Sequence, residues 1–91
     1  MEQIVRVNAT TLTATEQTLY TSTIATVVKT IMLHNTNSVD TDITLSLDSV
    51  IFKFTLTKDE TKIISTPIVT NLIKGLGLGV NIHISGIKLE G

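Results

Sequence analysis

Apolar and polar residues alternate along most of this chain, and the alternation has the two-residue period of a β-strand. Gln3 to Asn8 is a candidate first strand, with Val5 and Val7 on one face and Arg6 and Asn8 on the other. Gln17 to Thr21 is a short second one. Ala25 to Asn35 reads as a third and breaks the simple pattern. Val27, Ile31 and Leu33 fall on one side, but Val28 and Met32 fall on the other. An antiparallel strand with one wet face should not be apolar on both.

Asn35-Thr36-Asn37-Ser38 follows as a turn, built from side chains that hydrogen-bond their own backbone. Asp42 to Leu47 then alternates cleanly, with Ile43, Leu45 and Leu47 inward. Asp48-Ser49 is a tight turn. Val50 to Thr57 alternates again, with Val50, Phe52, Phe54 and Leu56 inward, so the two runs predict a β-hairpin. A charged turn, Lys58-Asp59-Glu60, leads to a strand over Thr61 to Ser65. Pro67 marks an edge or a strand start, and Ile68 to Ile73 comes next.

Lys74-Gly75 reads as the turn into a last long strand. There Leu76, Leu78, Val80, Ile82 and Ile84 share one face, and Gly77 and Gly79 lie on the other. The inward set then shifts to Ile87 and Leu89, which calls for a bulge at Gly86. No window carries a sustained 3.6-residue apolar repeat. The expectation is a single all-β domain over residues 1–91, an antiparallel β-sandwich or jelly roll of about eight short strands.

Composition supports this reading. Of 91 residues, 17 are Thr, 12 Ile and 8 Val, side chains that are stiff at χ1 and fit a pleated surface. Only 16% of residues are charged, and the formal net charge is −1. A lightly charged, threonine-rich exterior suits a surface that packs against neighbours. The seven basic residues form no stripe, and only Tyr20, Phe52 and Phe54 are aromatic, which argues against nucleic acid as a partner. No run approaches the roughly 18 apolar residues of a membrane helix, and nothing resembles a signal peptide. A soluble protein made in the cytoplasm is expected.

Candidate chemistry is sparse. With no cysteine, disulfides and thiolate metal sites are excluded. Gly75-Leu76-Gly77-Leu78-Gly79 lacks both the phosphate-loop spacing and a following helix. His34 and His83 with Asp40, Asp42 or Asp48 show no metal-ligand spacing, and Asp40-Thr41-Asp42 lacks the rest of a calcium loop. No nucleophile elbow occurs, and the carboxylates fall mostly in turns. No catalytic residue, metal or cofactor is expected. Asn8-Ala9-Thr10 is a chance-level glycosylation sequon. The candidate subunit interface instead combines the second apolar face of Ala25 to Asn35, at Val28 and Met32, with the side-chain-free positions Gly77 and Gly79.

The order of the segments adds a family likeness. "TLYTS" at Thr18 to Ser22 is followed by "ATVVKTIMLHNTN" from Ala25 to Asn37, then "DITLSLD", "KDETKIIS", "PIVTNLIKG" and a closing "VNIHISGIKLEG". Over Thr18 to Gly91 this resembles a group of small bacteriophage and prophage virion proteins of all-β fold. The resemblance implies a structural subunit, a capsid auxiliary or decoration protein or a neck or tail component. Its partners would be copies of itself and other virion proteins. It also makes Asn35, Thr36, Pro67, Gly75, Ser85 and Gly86 structural positions. Leu76-Gly77-Leu78-Gly79 departs from the family, which often has a polar residue after the turn glycine. The alternative expectation is a carbohydrate- or receptor-binding module of a phage fibre or tail, in which Tyr20 is the aromatic free to stack on a sugar.

Overall fold

A computed structural model describes residues 3–88. It contains seven strands and no helix: β1 Val5–Thr11, β2 Gln17–Asn35, β3 Thr41–Leu47, β4 Val50–Leu56, β5 Thr61–Ile64, β6 Ile68–Leu76 and β7 Val80–Lys88. All pairings are antiparallel. The strands join in one hydrogen-bonded sheet, in the order β1-β7-β2-β6-β3-β4, with β5 added to β2. The all-β, antiparallel expectation therefore holds, with seven strands among the described residues.

The sheet wraps round a single core. Its centre holds Leu12, Leu19, Val28, Ile31, Leu33, Ile43, Leu45, Leu56, Ile73, Val80, Ile82 and Ile84. These come from β2, β3, β4, β6 and β7 and from Leu12 just after β1, so strands that are not neighbours in the sheet share one core. Burial of such aliphatic side chains, at roughly 1.5–3 kcal/mol each, is the main stabilising contribution in a chain without disulfides. At the margin, Asn8 Nδ2 donates to the Leu19 carbonyl at 2.6 Å, tying the edge strand β1 back to β2.

The missing eighth strand is explained by β2. Gln17 to Thr21 and Ala25 to Asn35 are one strand of 19 residues, not two. Its first half pairs with β6 and its second half with β7 and β5. Between Thr21 and Thr26 the register with β6 slips, and polar side chains hold the slack. The Tyr20 hydroxyl donates to the Ile24 carbonyl at 2.7 Å. The Ile24 amide donates to Ser22 Oγ at 3.0 Å, and Asn71 Nδ2 donates to the Ser22 carbonyl at 3.2 Å.

A second irregularity accounts for the apolar residues on both sides of β2. Val28 pairs with Gly86 and Thr30 with Ser85, leaving Lys29 as an extra residue. One inserted residue reverses the inward parity. Thr26 and Val28 are buried before it, and Ile31, Leu33 and Asn35 are buried after it. The bulge expected at Gly86 therefore lies across the ladder, on β2, while Ile82, Ile84 and Gly86 of β7 keep one parity. Gly86 is still required: a Cβ there would sit 2.2 Å from the Val27 carbonyl oxygen. Leu89, assigned to the shifted inward set, lies outside the described residues.

The last hairpin also differs from expectation. Gly75 is not a turn residue. It lies within β6, buried beneath Leu12, Leu19 and Leu45. The turn comes later, over Gly77 to Val80, closed by the Val80 amide donating to the Gly77 carbonyl at 3.0 Å. Gly79 takes a φ of 76°, the left-handed conformation that favours glycine at the third position of such a turn. Leu76 thus belongs to β6, and Leu78 is an exposed turn residue.

Two turns match their sequence signals. Asp48 and Ser49 have φ of 53° and 69°, the two left-handed residues of a type I′ hairpin. Asn35 is fully buried and organises the loop after β2. Its Nδ2 donates to the carbonyls of Val39, Thr57 and Leu56 at 3.0, 3.1 and 3.2 Å, and its Oδ1 accepts from the Asn37 amide at 3.0 Å. Pro67 stands immediately before β6, as a residue without an amide donor should.

Candidate functional site

The four residues predicted to form a subunit interface are not brought together. Val28 is 0% exposed and belongs to the core, because the Lys29 bulge turns it inward. Met32 is 45% exposed on the outer face, paired with Ile63 of β5 and His83 of β7. Gly77 is buried, and a Cβ there would lie 3.0 Å from Ile43 Cγ1. A Cβ at Gly79 would lie 2.6 Å from Asn37 Oδ1. Both glycines serve close packing within the chain and not a strand's outer face, because the turn residues are Leu78-Gly79, four positions later than the alternation implies.

Exposed apolar side chains also lie at Met32 and Ile63 on the outer face, and three successive ones, Val50, Ile51 and Phe52, lie on the hairpin of β3 and β4. Its register is regular from Thr41↔Leu56 to Leu47↔Val50. Burial falls steadily along β4 toward the turn. Leu56 is buried and Phe54 half-buried, but Phe52 is 51% and Val50 57% exposed. Phe52 is thus not the core residue that its alternation predicts. It occupies the inner face, where the described residues leave half of it uncovered. Ile51, on the opposite face, is 59% exposed.

Between β4 and β5 the inner face opens into a groove of about 620 Å³. One wall is formed by Leu45, Leu47, Val50, Phe52 and Phe54, and the other by Ile31, Ile64 and Ile68. Charge is confined to Asp48, Lys53 and Lys62. Lys62 Nζ stands 6.0 Å from the centre of the Phe54 ring, at the outer limit of a cation–π contact across the groove. A volume of this size falls within the range of ligand-binding clefts.

The hairpin tip is held firmly. Asp48 Oδ1 accepts the Thr70 hydroxyl at 2.9 Å, the Asn71 amide at 3.0 Å and the Leu72 amide at 3.3 Å. The Asp48 amide in turn donates to the Leu72 carbonyl at 2.9 Å. The Asn71 amide, then the Thr70 hydroxyl and the Leu72 amide, hold the Asp48 carboxyl below the usual carboxylate range against the opposing effect of desolvation. This lock fixes β4 relative to β6 and keeps the groove wall in place.

The remaining candidate groups are engaged or dispersed. Tyr20 is half-buried, and its hydroxyl is committed to Ile24. His34 Nδ1 is 2.8 Å from Thr61 Oγ1, on the ladder between β2 and β5. His83 is exposed on β7. Among the described residues, no three of His, Cys, Asp and Glu lie close enough to hold a metal ion.

No protein-family model matches the chain, and a search of curated proteins returned no significant match.

Proposed function

We propose that this chain is a structural subunit that works by packing its β3–β4 hairpin against neighbouring protein, within a bacteriophage virion. The observation that carries the packing role is the bare apolar surface at Val50, Ile51 and Phe52, beside an open apolar groove. Covering it contributes roughly 1 kcal/mol for each half-exposed side chain of this size. The virion setting rests on the order of segments from Thr18 to Gly91, which resembles that of small phage virion proteins. A low content of charged residues and a formal charge of −1 are consistent with dense packing of many copies.

Under the alternative of a sugar-binding module, Tyr20 is half-buried, which reduces the ring face free to stack, and the groove walls offer few hydrogen-bonding groups. The packing role is therefore the better supported reading.

The test is mass spectrometry of phage particles purified on a density gradient from a culture that produces this protein. The chain should co-migrate with the particles at a fixed ratio to their major proteins. Its recovery only from the soluble fraction would overturn the virion assignment.

A further inference from the structure

Among the described residues β1, β4 and β5 each pair on one side only, and they differ in how the other edge is guarded. β1 carries a bulge at Val7, a charged Arg6 and the Asn8 tie to β2. β5 is only four residues long, follows the charged turn Lys58-Asp59-Glu60 and is succeeded by Pro67. β4 is the least guarded of the three, because its ladder with β3 has no bulge. It is seven residues long, regular in register, and carries a single charge, Lys53. A long, regular edge with one charge is a template on which another strand can pair.

We propose that the recruited strand is β4 of a second copy, paired antiparallel across a two-fold axis at Phe52. This rests on the packing role above and names the partner. The backbone fixes which groups are on offer. A two-residue type I′ loop closes on a hydrogen-bonded pair, here Leu47 with Val50. Bonding to β3 then alternates, so Ile51, Lys53 and Thr55 turn their amides and carbonyls to the free edge.

Side chains select the register. An axis at Lys53 would oppose two ammonium groups. An axis at Ile51 would set the Asp48 turn against Phe54, and one at Phe54 would set Val50 against Lys58. An axis at Phe52 sets Phe52 against Phe52, Val50 against Phe54 and Ile51 against Lys53. Apolar groups on the groove side then meet apolar groups, and no like charges face each other. Ile51 and Lys53 both present bonding groups outward, so the ladder is satisfied. The two grooves become continuous, floored by Val50, Phe52 and Phe54 of both copies. The isologous contact closes on itself, as a two-fold interface must.

Because the chain has no cysteine, Phe52→Cys introduces a single thiol. At the axis its Cβ lies opposite its mate, within reach of a disulfide. Mild oxidation should give a covalent dimer with Phe52→Cys and none with Phe54→Cys, while the double variant Val50→Cys/Phe54→Cys should cross-link. In sedimentation equilibrium the unmodified chain should dimerise with increasing concentration, and Phe52→Asp should weaken the dimer about 100-fold, as loss of a central contact does. Equal cross-linking at Phe54→Cys, or a chain that stays monomeric up to its solubility limit, would overturn the pairing. A monomeric chain still found in particles would refute the pairing alone. A dimer absent from particles would refute the virion assignment alone.

Discussion

Strands β2 and β4 both carry apolar side chains at successive positions, and the structure uses them in opposite ways. In β2 the Lys29 bulge shifts the phase, so Val28 and Ile31 both point into the core. In β4 the register with β3 is unbroken, so Val50 and Phe52 stay on one face and Ile51 on the other, all more than half exposed. The same sequence pattern is a packing device in one strand and an open surface in the other. What separates them is whether the ladder absorbs an extra residue.

The strongest way to break this contrast is to place a charge at matching points. Val28→Asp should unfold the protein, because an unpaired carboxylate in the core costs roughly 4 kcal/mol or more. Phe52→Asp should leave thermal unfolding of the monomer nearly unchanged. Circular dichroism melts of the two variants read the difference directly. If Val28→Asp folds and Phe52→Asp does not, the contrast has been drawn the wrong way round.

Gly86→Ala probes the residue opposite the bulge. Its Cβ would collide with Val27 O and approach Val28 Cα within 2.9 Å. Overpacking against backbone of this kind costs about 3 kcal/mol. Denaturant titration should show the midpoint falling without loss of β-sheet signal in the absence of denaturant.

Asp48→Asn tests what holds the β4 hairpin. The Asp48 carboxyl is held below its ordinary value of 3.8 in the folded state. Its contribution to stability is therefore complete above that ordinary value and is lost as pH falls through the lowered one. Melting temperature against pH should decline across this acidic window in the unaltered chain. The Asn variant, less stable at neutral pH, should lose that part of the decline.

Ser49→Gly should have the smallest effect, and in the opposite direction. Ser49 adopts a φ of 69°, which costs an L-residue about 1 kcal/mol and glycine little. A melting temperature raised slightly, with the hairpin register unchanged by NMR, is the expected result.

Much of this architecture was legible in the residues. The hairpin of β3 and β4 followed from alternation around Asp48-Ser49, the buried turn followed from Asn35, and the start of β6 from Pro67. The continuity of β2 was not legible, because its slack is held by local bonds of Tyr20 and Ser22 to Ile24, which carry no strand periodicity, and by Asn71 from a strand distant in sequence. The bulge was signalled by the doubled apolar pattern, but its extra residue is a lysine, which carries no turn signature. The glycine signature falls instead on Gly86, which serves the same distortion from across the ladder. The β6–β7 turn was displaced because Leu76, Leu78 and Val80 keep a period of two straight through it. The exposed surface at Phe52 was missed for a different reason. Alternation reports which face a side chain takes, not whether anything covers that face.

The central claim is that β4 is an uncovered edge awaiting its own copy, and residue-resolved amide hydrogen exchange at low and high protein concentration tests it most directly. The outward amides of Ile51, Lys53 and Thr55 should exchange quickly when dilute and slowly when concentrated. Those of Phe52 and Phe54, already bonded to β3, should change far less. Exchange at Ile51, Lys53 and Thr55 that is independent of concentration would contradict the account.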